Sequence, residues 1–324
     1  MSHQRDQYRC LLADMADPDP VQDKTPAIDE LEAEHGQRTT SIKQRLDRYL
    51  GFLPMFAVIS TITGAWESIG AGLLGGPVAL VYGFIIAFLG TLAMAASFAE
   101  MASIVPVAGA QYTWSAQLAP IGPGFFGLMQ GWLTLFAWLA ASAGPSFIAG
   151  GELQGLLILD YPDHVPKGWH LTLLMWAIMV LPIVANVFAR RVLKPIELST
   201  CVLRLVGWPA TIATILACAR TRNTDDFVWG TFSGGLTGWS SNGVIFSIGL
   251  LTPAFALSGF DGMLHLSEEV MNPKQVVPRA MVWGVAINDV LAFGYLLPIL
   301  YSIGNLQDAI ESSTVSSISV PPPP

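Results

Sequence analysis

From Pro77 to Ala99 the chain runs through twenty-three residues without one charged side chain. About 20 apolar residues in a helix cross the roughly 30 Å hydrocarbon core of a bilayer. Inside lipid each peptide group must find its hydrogen-bond partner within the chain, so such a run has to be helical. Six further stretches of similar character are present, giving expected spans at 51–73, 77–101, 124–149, 169–189, 197–219, 243–271 and 279–303. The expected architecture is therefore all-α and membrane-integral, with about seven transmembrane helices.

Composition agrees. Hydrophobic residues make up 52% of the chain and charged residues 12%, about half the charge that wets a soluble domain. That excludes an ordinary soluble enzyme, a disordered chain and a nucleic-acid binder with a basic face. The formal charge of −8 comes mostly from one end, because residues 1–35 hold nine acids against three bases. Residues 1–40 are expected to be a disordered cytosolic tail, and Ser41–Tyr49 a short interfacial helix. No basic start followed at once by a short apolar core is present, so no cleavable signal is expected. Cys10, Cys201 and Cys218 form no close pair and read as small packing residues.

The placement of Lys and Arg sets the expected orientation. With the N-terminus inside, the inner segments carry Arg38, Lys43, Arg45, Arg48, Arg190, Arg191, Lys194, Lys274 and Arg279. The outer segments carry only Lys167, Arg220 and Arg222. The positive-inside rule then places the N-terminus in the cytoplasm. Pro106–Pro120 is neutral but holds Gln111, Tyr112, Trp114 and Gln117, which suits a helix lying at the membrane surface. Arg204 is expected to reach the inner headgroups from the fifth span.

Two spans look interrupted. The first carries Thr63, Gly64, Ala65, Trp66 and Glu67 near its middle. The sixth reads Phe255-Ala256-Leu257-Ser258-Gly259-Phe260-Asp261, after Pro253. Proline removes a backbone donor, and glycine tolerates non-helical dihedrals. Interrupted spans at corresponding places in two halves point to a secondary transporter's solute site. A half-helix starting at such a break turns unpaired N–H groups and its positive dipole end toward the gap, where a carboxylate can bind. The carbonyls that end the opposite half accept from an ammonium. The glycines Gly70, Gly72, Gly75 and Gly76 instead suit close helix packing.

These residues resemble the amino acid–polyamine–organocation superfamily, and within it the fungal-type amino acid, GABA and choline permeases. Three stretches carry the likeness: Thr63–Glu67 with Gly75-Gly76-Pro77; Ser97–Ser103 running into Pro106–Trp114; and Phe255–Asp261 with His265, Ser267-Glu268-Glu269, Asn272-Pro273 and Val277–Ala280. The resemblance implies a leucine-transporter-like inverted-repeat fold over residues 41–305, with the first and sixth helices discontinuous. It implies alternating-access transport of an amino acid or related amine, coupled to protons, in the plasma membrane or the vacuolar membrane. By position, Thr63, Gly64 and Ala65 would meet the substrate carboxylate beside Trp66. Phe255, Ala256, Leu257, Ser258 and Gly259 would face the amine, with Phe260 as an aromatic gate or packing residue. Glu269 and Arg279 would pair in a cytoplasmic gate, and Asp261 would take part in gating or coupling.

The likeness is incomplete. The family has about twelve spans, so seven amount to the first repeat of five and two helices of the second. Residues 306–324 match no continuation of that pattern, and a truncated product that no longer transports is the alternative expectation. Glu67 reads equally as a site for a proton, cation or amine and as a water-facing group. Asp289 reads either as a coupling group or as a residue near the inner interface. His265-x-x-Glu268-Glu269 lacks the second histidine of a zinc-hydrolase helix, so neither metal nor cofactor is expected. No catalytic motif is present. A seven-helix receptor would carry its N-terminus outside, opposite to the charge pattern.

Overall fold

Helix formation follows the apolar runs and overshoots them where no breaker intervenes. The structure, a computed structural model, describes residues 48–62, 69–161, 165–188, 190–219, 221–233 and 238–310. In chain order the elements are α1 (Phe52–Ile62), α2 (Ile69–Leu73), α3 (Gly76–Ile104), α4 (Ala110–Leu118), α5 (Pro123–Asp160) and α6 (Gly168–Phe188). There follow α7 (Arg190–Cys218), α8 (Asp225–Gly230), α9 (Asn242–Ala256), a 3-10 helix (Phe260–Glu269), α10 (Pro273–Ser302) and α11 (Leu306–Ile310). The described residues from Arg48 onward belong to one unit. Their only extended pairing is an isolated parallel bridge between Leu50 and Val270.

Among the described residues, six helices are long and apolar enough to cross a membrane, with α9 and the 3-10 helix counted as one. The expected first span, 51–73, holds α1 and α2, and residues 63–68 between them lie outside the described residues. The helix α5 runs for 38 residues, through Glu152 to Asp160, beyond its expected end at 149. A charge ends a membrane span but not a helix, and the first proline after Pro145 is Pro162. Likewise α10 starts at Pro273, a residue suited to the first helical turn, whereas its apolar run begins only near 279.

Exposed side chains are those lipid would solvate. In α6 no residue is buried, and Leu181 and Phe188 are 74% and 82% exposed. Lipid tails are as apolar as leucine, so close van der Waals contact rather than water exclusion holds such helices together. Glycines supply it where α9 crosses the start of α3. A Cβ on Gly249 would lie 2.4 Å from Ala79 Cβ and 2.9 Å from Gly75 Cα.

The interior divides into two hydrophobic clusters. One gathers Met55 and Ile59 of α1, Ala95 and Ala102 of α3, Trp114 of α4, Phe260, Met263 and Leu264 of the 3-10 helix, and Val277 to Val285 of α10. The other gathers Ile69 and Leu73 of α2, Leu80, Val81 and Phe84 of α3, Leu257, and Ala292 to Leu300 of α10. Both α3 and α10 run unbroken through the two clusters. The first passage and the α9–3-10 passage divide between them, and α5 and α6 contribute to neither.

Candidate functional site

The boundary between the clusters falls at the link between α9 and the 3-10 helix. Leu257, fully buried, belongs to one cluster, and Phe260 belongs to the other, its ring centroid 6.0 Å from that of Phe98. Only Ser258 and Gly259 lie between them. Pro253 has no N–H, so α9 already lacks one rung before its end. Its last turn closes with Leu257 N–H donating to Pro253 O (3.1 Å) and Ser258 N–H donating to Phe255 O (3.1 Å). Ser258 Oγ donates to the same Phe255 carbonyl at 2.7 Å. Gly259 then takes φ +88° and ψ −4°, in the left-handed region, which a Cβ disfavours. The chain resumes with Gly262 N–H donating to Gly259 O at 3.0 Å.

The flanks of residues 63–68 divide the same way. Ile59 lies in the cluster of Phe260, and Ile69 in the cluster of Leu257. Thr63, Gly64, Ala65, Trp66 and Glu67 themselves lie outside the described residues. Of the expected sixth-span residues, Ala256, Leu257 and Phe260 are buried in packing, while Phe255 is 45% exposed and Ser258 is exposed.

Asp289 lies on the same boundary. It sits midway along α10, between Val285 of one cluster and Ala292 of the other. It is 0% exposed, and neither carboxylate oxygen has a hydrogen-bond partner. Arg204, midway along α7, acts on it by its positive charge. The helices α7 and α10 meet here, and Trp208 Nε1–H donates to Leu291 O at 2.9 Å.

Glu269 and Arg279 differ in exposure. Glu269 is buried, and its carbonyl accepts from the N–H groups of Tyr49 and Leu50 at 3.0 and 3.1 Å. Arg279 is exposed and lines a surface groove of about 350 Å³ with Phe52, Asn272 and Trp283. A wider groove of about 560 Å³ follows Ser241, Ser247 and Leu251 on the face of α9, and neither groove includes Ser258 or Gly259.

Two contacts were not foreseen. Asp261 Oδ2 accepts from Gln111 Nε2 at 2.7 Å, across 150 residues of sequence. His265 Nδ1 lies 2.8 Å from Ala108 O, and its ring stands edge-on to Trp138 at 6.0 Å. The sequence signal was present but mute: Gln111 is one of two glutamines in a neutral segment, with nothing local to name its partner.

These features define a class: a multi-pass helical membrane protein with a non-helical link and a buried carboxylate at one level of its packed helices. The chain belongs to the amino acid permease family, whose pattern matches residues 50–320, and that family is one of transporters rather than enzymes. It is 32% identical over 263 residues to a choline transporter of Saccharomyces cerevisiae, covering 79% of this chain and 46% of that protein. It is 28% identical over 291 residues to the amino-acid permease BAT1 of Arabidopsis thaliana, covering 85% of this chain and 55% of the relative. Amino-acid permease 2 of Neurospora crassa is 28% identical over 281 residues, covering 85% and 51%. The chain thus spans about half the length of these relatives.

Proposed function

We propose that this chain binds an amino acid or a related amine such as choline, and carries it across a membrane by alternating access. The fold behind this reading is the leucine-transporter-like inverted repeat, with seven spans in this chain and the first and sixth discontinuous. The observation that carries it is the shared boundary. Ser258–Gly259 and the flanks of residues 63–68 meet the same division between two cores, and Asp289 stands at that level.

Solute binding follows from backbone chemistry. The carboxylate is assigned to Thr63, Gly64 and Ala65, with Trp66 and Glu67 beside it. Phe255–Gly259 line the other break, where carbonyls not taken up by the last turn of α9 face the amine. For choline, which has no carboxylate, Trp66, Phe255 and Phe260 supply aromatic faces to the ammonium. Proton coupling is assigned to Asp289, which can lose or gain charge against the fixed charge of Arg204. Asp261, Glu269 and Arg279 belong to the gate on the N-terminal side, which faces the cytoplasm of a cell whose plasma or vacuolar membrane holds the protein.

The test is uptake of radiolabelled amino acids and choline by this chain in a transporter-deficient host, with and without Gly259→Trp. Accumulation that Gly259→Trp abolishes supports the carrier. Specific binding by the purified chain without accumulation overturns it and leaves a solute-binding membrane protein.

A further inference from the structure

We infer that Gln111 and His265 form a latch that fastens the 105–109 connection and the start of α4 to the 3-10 helix, and that this latch sets how readily the 3-10 helix lifts from the core. Two hydrogen bonds join segments distant in sequence: Gln111 Nε2 to Asp261 Oδ2, and His265 Nδ1 to Ala108 O. Both partners on the receiving side are acceptors only, which fixes the donors. The amide must present its NH₂ to Asp261, and the imidazole must carry its proton on Nδ1.

Gln111 Oε1 and His265 Nε2 are left as acceptors, and both are buried with no hydrogen-bond partner. A purely structural staple would satisfy its buried acceptors. Here water would satisfy them when the segments part, so the closed state gains little over the open one. The receiving connection is itself held in place by Trp114 Nε1–H donating to Val105 O at 3.1 Å. At Ala110 its backbone takes φ +35°, a conformation that L residues disfavour. The clasp is therefore balanced on both sides.

What the latch restrains is the half of this passage that follows Gly259. Gly259 and Ser258 form a link without helical hydrogen bonds beyond the last turn of α9. The 3-10 helix can thus pivot there without unwinding α9. The inference rests on the carrier reading for what that movement serves, namely opening one side of the solute site. Its test needs no transport.

Ser267 lies on the 3-10 helix and is 1% exposed. Ser267→Cys is placed in the full chain with Cys10, Cys201 and Cys218 replaced by alanine, and its labelling by a maleimide is timed in detergent. Gln111→Glu sets two carboxylates against each other, and labelling is expected to quicken about tenfold. Asp261→Asn added to Gln111→Glu restores one amide–carboxylate bond, and the rate is expected to return toward its starting value. A parallel chain keeps native Cys201, buried on α7, as its only cysteine. An unchanged Ser267→Cys rate with Gln111→Glu overturns the latch. Equal quickening at Cys201 also overturns it, because the contact would then support the whole unit rather than gate one segment. Failure of the asparagine rescue overturns the assignment of Gln111 as the positioning residue for Asp261.

Discussion

Replacing Gly259 by alanine asks whether the chain turns out of helix at this point, and the sign of the answer decides. With φ at +88°, an L side chain costs about 1–2 kcal/mol from contact between Cβ and the backbone. Alanine also restricts the unfolded chain, which returns about 0.4–1 kcal/mol. Gly259→Ala is therefore expected to destabilise by about 1 kcal/mol. Asparagine visits the left-handed region more readily than alanine, so Gly259→Asn should cost roughly half as much. Had α9 continued through this position, alanine would instead stabilise by about 0.8–1 kcal/mol, its advantage over glycine inside a helix. The assay is reversible unfolding of the purified chain in mixed micelles, titrated with sodium dodecyl sulfate. The order expected is glycine, then asparagine, then alanine. Alanine equal to or above glycine would falsify the turned conformation and with it the boundary on which the carrier reading stands.

Other outcomes follow from the same packing. Gly249→Leu forces side-chain atoms into Ala79 and Gly75; overpacking of this kind costs about 1–3 kcal/mol, so the folded yield by fluorescence-detected size exclusion should fall. Asp289→Leu and Arg204→Leu should each destabilise, and the double variant should recover part of the loss, with a coupling of about 1–2 kcal/mol in the same detergent titration; strict additivity would mean that the two charges do not interact. Asp289→Asn should flatten the dependence of uptake on external pH while leaving binding of solute measurable. Asn223 Nδ2 donates to Leu300 O at 3.0 Å and Gly304 O at 3.1 Å, so Asn223→Ala should lower stability by about 1–2 kcal/mol and quicken amide exchange at the end of α10.

The apolar runs disclosed the long helices because a bilayer leaves so few choices for backbone that enters it. The edges were harder to read. The extension of α5 past residue 149 is invisible to any search for apolar residues, since Glu152, Gln154 and Asp160 continue the helix without continuing the span. Gly259 was legible because glycine after a proline-bearing stretch is local information. The placement of Asp289 was not: the same aspartate reads as interfacial or as central until α10 is known to begin at Pro273. Nor could the sequence join Gln111 to Asp261 or Arg204 to Asp289, because these pairings are created by the folded chain and leave no periodic trace.

The two unbroken helices, α3 and α10, act as beams across a joint. A beam bends gradually and returns, whereas the passage through Ser258 and Gly259 can hinge. Any tilt of one block of side chains against the other must therefore store elastic energy in α3 and α10. Asp289 sits in one of them, between the side chains of the two blocks. A change of charge there alters the local stiffness of the beam as well as its electrostatics, so a proton could be felt mechanically at a distance from where it lands.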